Sequence, residues 1–174
     1  MTFSNLEIDI EALPKTEEVE YQQLSPAYPK VSYIGNLIFF AVLLGGLFGT
    51  INFSEAGNYI IFRYVAFTCW FLWFVLAMWL VHRAYEIQGY ALREKDIIHR
   101  KGVVFRRTTV IPFNRVQHCE VKQGPIERMF DLHTIEIYTA GGQSSDLRIP
   151  GLQGELAQQL KEFIIKRTGQ HDPK

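Results

Sequence analysis

Two long apolar segments constrain this chain more than any other feature of its sequence. Residues 31–51 contain no acidic or basic side chain, and fourteen of these 21 residues are hydrophobic. At a rise of about 1.5 Å per residue, such a helix covers roughly 30 Å, the hydrocarbon thickness of a bilayer. Residues 59–81 form a second such segment, interrupted only by Arg63 and Thr68, and the short polar segment 52–58 separates the two. The pattern predicts a transmembrane helical hairpin.

The alternative is a pair of buried helices in a soluble bundle. Helices of that kind normally keep a polar stripe along one side, and neither segment has one. The distribution of Lys and Arg then predicts the orientation of the hairpin. Residues 52–58 contain neither, whereas ten follow between residues 82 and 130. By the positive-inside rule, the turn 52–58 is extracytoplasmic and both termini are cytoplasmic.

The first apolar segment contains a Gly-x-x-x-Gly spacing, from Gly45 to Gly49. Small residues at this interval let two helix backbones approach closely in a membrane. We expect this pair to pack against another helix, for which the second segment of the same hairpin is the simplest candidate. The alternative is ordinary use of glycine in a membrane helix.

Outside the hairpin the chain divides into an acidic arm and a larger domain. Residues 1–30 carry six acidic and two basic side chains, and they cannot form a core of their own. We expect a mobile or weakly docked cytoplasmic arm, which opposite charge would attract to the basic region beyond the hairpin. Residues 82–168 are long enough for one small core, and residues 169–174 form a tail.

Residues 82–168 read as short strands closed by one helix. The β-rich runs predict strands at residues 84–93, 96–100, 103–111, 116–122, 134–139 and 146–149. Gly89 would mark a bulge in the first of these strands, and Lys101-Gly102 a hairpin turn. From Leu152 to Ile164 the apolar residues recur on one face of an amphipathic helix. An α+β domain results, in which the helix plugs the open end of a small curved sheet.

Several segments of this domain together resemble a known family. They are Val116–Arg128, Phe130–Leu132, Thr134–Gly142 and Ile149–Leu152. The stretch is similar to bacterial membrane-anchored pleckstrin-homology-like (bPH) domain proteins, and the two spans ahead of it resemble the small two-span members. The resemblance implies a two-helix transmembrane hairpin followed by an antiparallel PH-like partial β-barrel, capped by a C-terminal helix, in the bacterial inner membrane. As partner it suggests a larger multi-span PH-like relative or self-association, and it implies no catalytic residue and no defined ligand.

The candidates for chemistry are few. Cys119 stands beside His118, but neighbouring strand residues point to opposite faces, so the two cannot converge on one centre. The other cysteine, Cys69, lies in the second apolar segment, and the spacing fits no zinc pattern. We therefore expect no catalytic residue, no cofactor, no metal and no enzyme. A net charge of zero argues against a nucleic-acid partner.

Six cations follow the second apolar segment within a short distance along the chain. An anionic leaflet attracts each basic group near its surface by about 1 kcal/mol, an attraction that decays over roughly 10 Å. We therefore consider them candidates for contact with the lipid surface, and the alternative is that they only set the topology and keep strand edges soluble. These cations are Arg93, Lys95, Arg100, Lys101, Arg106 and Arg107.

Three functions remain open at this point. The first is a non-enzymatic membrane protein that presents a cytoplasmic interaction domain as a subunit of a larger complex. The second is recognition of anionic lipid head groups at the inner leaflet. The third is an accessory subunit of a transporter or channel, although two spans with one peripheral charge offer no evident polar pathway.

Overall fold

A computed structural model of the protein describes residues 19–53, 59–140 and 145–169. The acidic residues before Val19, most of the turn 52–58, the glycine pair at 141–142 (predicted as part of a second hairpin turn) and the tail beyond Gly169 lie outside these ranges. The predictions made for them therefore remain predictions.

Two long helices form the expected hairpin. Helix α1 covers Tyr28–Phe53 and helix α2 covers Ile60–Ile87, and both are long and apolar enough to cross a membrane. No residue of α2 is buried, whereas a core helix of a soluble bundle would be mostly enclosed. The helices meet through aromatic side chains, since the Phe40 ring lies 5.1 Å from Trp73 and 5.3 Å from Phe74, measured between centroids.

Helix α2 extends further than the sequence suggested. A strand was predicted from Ala84, but residues 82–87 continue the helix. Arg83 bonds Glu86 at 2.8 Å one turn away, and such pairs support a helix. The first residue unfavourable to a helix is Gly89, where the first strand after the hairpin begins.

The strands form two antiparallel sheets. The first sheet has the order β1-β2-β3-β4 and the second the order β5-β6-β7. In the first sheet the strands are β1 Gln22–Gln23, β2 Gly89–Leu92, β3 Asp96–Lys101 and β4 Arg107–Pro112. In the second they are β5 Val116–Lys122, β6 Leu132–Thr139 and β7 Leu147–Gln153, with the one-turn helix α3 Pro125–Arg128 between β5 and β6.

One C-terminal helix closes the core between the sheets. Helix α4 covers Gly154–Gly169, and its residues Ala157, Leu160 and Ile164 are buried against strand residues such as Ile135 and Ile137. The predicted α+β fold, with a PH-like arrangement of strands and a capping helix, is therefore confirmed. Leu152 and Gln153 belong to β7 rather than to the helix.

Strand β1 comes from the segment before the membrane. Gln22 pairs with Tyr90 and Gln23 with Gly89, and Leu24, only 2% exposed, belongs to the core. The prediction of a weakly docked arm attracted by charge is therefore wrong for residues 21–25, which attach by strand pairing and an apolar anchor.

Gly89 is not a bulge, because it pairs in regular register with Arg100. A β-carbon there would approach the Gln22 carbonyl and the Tyr21 Cβ to 3.1 Å each. The glycine thus makes room for the arm.

Candidate membrane-facing surface

The order of elements determines which end of the first sheet faces the hairpin. Strands β1 and β2 are antiparallel neighbours, and the chain between them is the helical hairpin itself. In an antiparallel sheet, the β1–β2 and β3–β4 connections lie at the same end. The loop 102–106 between β3 and β4 therefore lies at the end from which the helices leave.

Contacts at this end agree with the topology. The Arg100 guanidinium donates a hydrogen bond to the Ile87 carbonyl at the end of α2, at 3.3 Å. The same guanidinium lies 4.3 Å from the Tyr21 ring centroid, a cation–π distance. Arg100 thus joins the arm, the helix and β3.

The loop 102–106 and its flanking residues form a projecting tip, which we call the β3–β4 tip (residues 101–107). Gly102 has φ +104, and a β-carbon on it would lie 2.0 Å from the Phe105 carbonyl oxygen, so the turn requires glycine. The side chains of Val104 and Phe105 are 76% and 88% exposed. Exposed Lys101, Arg106 and Arg107 flank them, which gives an apolar point within a basic rim.

The structure separates the six predicted lipid-contact cations. Arg100, Lys101, Arg106 and Arg107 lie at the hairpin end, whereas Arg93 and Lys95 flank the turn at the opposite end of the sheet. Four strand residues separate the two ends, or roughly 13 Å. Arg93 is also engaged, because Asp96 accepts two hydrogen bonds from it at 2.6 and 2.8 Å, which raises the pKa of Arg93.

The six predicted cations therefore do not form one surface, because the strand reversal places Arg93 and Lys95 at the end of the sheet opposite the hairpin. Lipid contact remains a prediction for all six, and the position of the four at the hairpin end favours it most.

Gly45 and Gly49 do not face helix α2. A β-carbon on either would meet no atom within 4 Å. The second span is therefore not their partner in the described hairpin, because the bulky rings of Phe40, Trp70 and Trp73 form that interface. Packing against a further helix remains a prediction.

The reactive side chains are dispersed, as the alternation of strand residues predicted. Cys119 points into the core, where burial raises its pKa to about 11, while the His118 ring stacks on Tyr138 at 4.2 Å on the other face. His99 is 1% exposed, and the Gln88 amide donates to its Nε2 at 3.2 Å. Among the described residues, no three His, Cys, Asp or Glu side chains converge on a metal-sized site.

Two features of the structure were not predicted from the sequence. Residues 103–111 were assigned to one strand, which concealed the Val104-Phe105 point, since β4 begins only at Arg107. The glycine before two apolar residues and an Arg pair is the signal that could have identified the tip. The docking of Leu24 had no such local signal.

The domain and both helices fall within one known family. A family model described as "Bacterial PH domain" matches residues 35–168, well over half of the chain. The chain belongs to this family. The match begins inside α1 and ends at the last turn of α4, so it includes the hairpin as well as the two sheets.

A curated relative supports the membrane assignment of this bacterial PH domain protein. It is the "UPF0699 transmembrane protein YdbS" of Bacillus subtilis (strain 168), 28% identical over 98 residues. The aligned part is 56% of this chain and 60% of the relative, so the chain spans about three fifths of that protein's length. No solved structure matches the chain. The family, the relative and the two helices together identify a membrane protein with a PH-like domain.

Proposed function

We propose that this protein is a non-enzymatic module that holds its PH-like domain against the inner leaflet of the bacterial cytoplasmic membrane, where the β3–β4 tip contacts anionic lipid. One observation carries the proposal: Phe105, 88% exposed, projects from the same end of the sheet as the two membrane helices. An exposed aromatic within a basic rim is typical of a surface that meets lipid head groups.

The dimensions allow this contact. The apolar run ends at Val81, and the helix beyond it rises about 9 Å to Ile87. The head-group layer adds roughly 5–8 Å outside the hydrocarbon. A five-residue loop that turns back from the sheet reaches about 8 Å, so the tip lies within reach of the head groups.

The energetics are also sufficient. Lys101, Arg106 and Arg107 would each gain about 1 kcal/mol near an anionic surface, and partial burial of Phe105 would add about 1–2 kcal/mol. Because the helices already tether the domain, this free energy serves to orient it rather than to recruit it.

A fluorescence experiment on the full chain tests the tip contact. The Cys69→Ala protein carries Val104→Cys with an environment-sensitive fluorophore, in nanodiscs of phosphatidylglycerol or phosphatidylcholine. Cys119 stays unlabelled because it is buried with a raised pKa. We expect a blue shift and quenching by nitroxide lipid in the anionic discs, reduced by high salt or by Arg106→Glu with Arg107→Glu.

The matched control places the same label at Glu94→Cys. Glu94 lies in the turn at the far end of the sheet, and its probe should report water in both kinds of disc. Equal aqueous emission from the two labels would refute the proposal.

The side of the membrane has its own test. The pairing of residues 22–23 with residues 89–90 supports a location of both on one side of the membrane, and the positive-inside rule favours the cytoplasmic side. In intact cells, an impermeant thiol reagent should label Phe53→Cys at the outer end of α1 and spare Glu94→Cys. The reverse labelling would contradict the orientation.

A second candidate function is that of a subunit in a membrane complex, and the uncovered glycine pair favours it. Gly45 and Gly49 lie on a face of α1 that α2 does not contact. Their spacing would let another helix pack closely there, either from a multi-span relative or from a second copy of this chain. Gly49→Leu should then shift the native mass of the protein from mild detergent to the monomer. The control Gly35→Leu should not, and a strictly monomeric parent protein would exclude this candidate.

A further inference from the structure

A cavity lies where the hairpin joins the domain. Its volume is about 460 Å³, and it opens beside the first turns of α1. The elements that meet there are α1, the residue after α2, the end of β3, α3 and β7. The residues used below are Val31, Ser32, Gln88, Lys101, Glu127 and Arg148.

With the domain placed at the leaflet as proposed above, the cavity would lie at the depth of the lipid head groups. Val31 is the first residue of the uncharged run 31–51, so it marks the edge of the hydrocarbon. Gln88 follows the last residue of α2 on the domain side. A cavity lined by both residues spans the layer that phospholipid phosphates occupy.

Two cations line the cavity. Lys101 is exposed and has no carboxylate partner among the described residues. Arg148 is 61% exposed, and its Nε lies 3.6 Å from the Glu136 carboxylate. Only Nε faces that carboxylate, and among the described residues the terminal nitrogens of Arg148 have no hydrogen-bond or ion-pair partner. They can therefore bind a second anion.

The acidic residue of the cavity offsets only one of these two cations, and both of its oxygens already accept hydrogen bonds. Glu127 accepts hydrogen bonds from the Gly124 backbone N–H at 2.7 Å and from the Thr134 hydroxyl at 2.9 Å, one on each oxygen. Its role is to cap α3. The lining therefore keeps an excess of one positive charge, together with the Ser32 hydroxyl as a further donor.

We propose that this cavity binds the phosphodiester of one phospholipid head group. Arg148 and Lys101 contact the phosphate oxygens, Ser32 donates a hydrogen bond, and the acyl chains run past Val31 along α1. The inference rests on the proposed placement of the domain at the leaflet, but the site is separate from the β3–β4 tip except for Lys101, which belongs to both.

Native mass spectrometry of the full chain tests the site. The protein is transferred from phosphatidylglycerol nanodiscs into detergent, and the bound lipid is counted as the detergent increases. We expect one tightly retained lipid per chain. Arg148→Gln should weaken its retention roughly ten- to a hundredfold, as for a lost charge-assisted hydrogen bond, and Ser32→Ala by a smaller factor.

The matched control is Arg107→Gln, a tip cation outside the cavity lining. Loss of the retained lipid on Arg107→Gln but not on Arg148→Gln would assign the lipid to the tip and overturn the cavity site. Retention in both variants, or no retained lipid in the parent protein, would also overturn it. In each variant, a slow reaction of the buried Cys119 with a thiol reagent verifies that the core is intact.

A third measurement distinguishes a bound lipid from a bound soluble phosphate. Delipidated protein is incubated with glycerol 3-phosphate in place of phosphatidylglycerol. We expect no retained adduct, because the acyl chains contribute along Val31. An adduct as stable as the lipid would show that a soluble phosphate ester occupies the site, contrary to the inference. This result would leave the fluorescence test of the tip unaffected.

Discussion

Replacing Leu24 with Ala should destabilise the whole PH-like domain, although Leu24 precedes the membrane hairpin. Its side chain is 2% exposed and packs in the common core. Truncation of a buried leucine to alanine typically costs about 2–5 kcal/mol. The cost here is limited by what the arm contributes in total, because the arm can leave the sheet altogether. We therefore expect a loss of about 2–3 kcal/mol.

The remaining cysteine of a Cys69→Ala protein provides the assay. Cys119 is 8% exposed, and burial raises its pKa to about 11, so a thiol reagent reacts only when the domain opens. A loss of 2–3 kcal/mol corresponds to labelling about 30- to 150-fold faster. The measurement is made in nanodiscs with the complete chain.

Leu156→Ala is the matched control, because Leu156 is 41% exposed on α4. It should accelerate labelling less than about threefold. If Leu24→Ala also labels at nearly the parent rate, the arm contributes no stability, and the completion of the sheet by a strand from before the hairpin is wrong.

Two further predictions concern the pH dependence of stability and the contact between Gly151 and the first residue of α1. Burial lowers the pKa of His99 from 6.5 to about 4. Between these two pH values, His99 is therefore protonated in the unfolded chain and neutral in the folded domain. The free energy of unfolding should therefore be highest above pH 6.5 and fall by about 2–3 kcal/mol towards pH 4.5. His99→Gln should remove most of this pH dependence in the labelling assay, whereas the change His118→Gln, at an exposed residue, should leave it in place. Gly151 has φ +69, and a β-carbon there would lie 2.6 Å from Tyr28. Gly151→Ala should therefore cost at least about 1–2 kcal/mol, measured by thermal unfolding, whereas Gly35→Ala should be close to neutral.

The hairpin was predictable because a bilayer demands length and absence of charge, and both are visible in residues 31–51 and 59–81. The C-terminal end of α2 was not predictable, since it depends on side-chain pairs such as Arg83 with Glu86. The second sheet was predictable from the clean alternation around Ile135 and Ile137. No local pattern marks Gln22-Gln23 as a strand, because its partner Tyr90 lies beyond the whole hairpin.

The same distinction applies to the surface. The basic region beyond the spans was visible in the composition, but the separation of its cations between the two ends of the first sheet was not. Sequence distance from Val81 groups Arg93 with Arg107, whereas the strand register places them at opposite ends of the first sheet. The cavity combines Ser32 with Arg148, which only the folded chain brings together.

The hairpin interrupts a sheet, since β1 is synthesised before the two helices and its partner β2 after them. A nascent chain cannot complete this sheet until both helices have been synthesised, because Tyr90, the partner of Gln22, follows them in the chain. Until that point β1 has no neighbouring strand and Leu24 has no core to enter. Folding of the domain therefore waits for the whole hairpin, and a chain that stops before β2 would leave β1 and Leu24 exposed to chaperones and proteases.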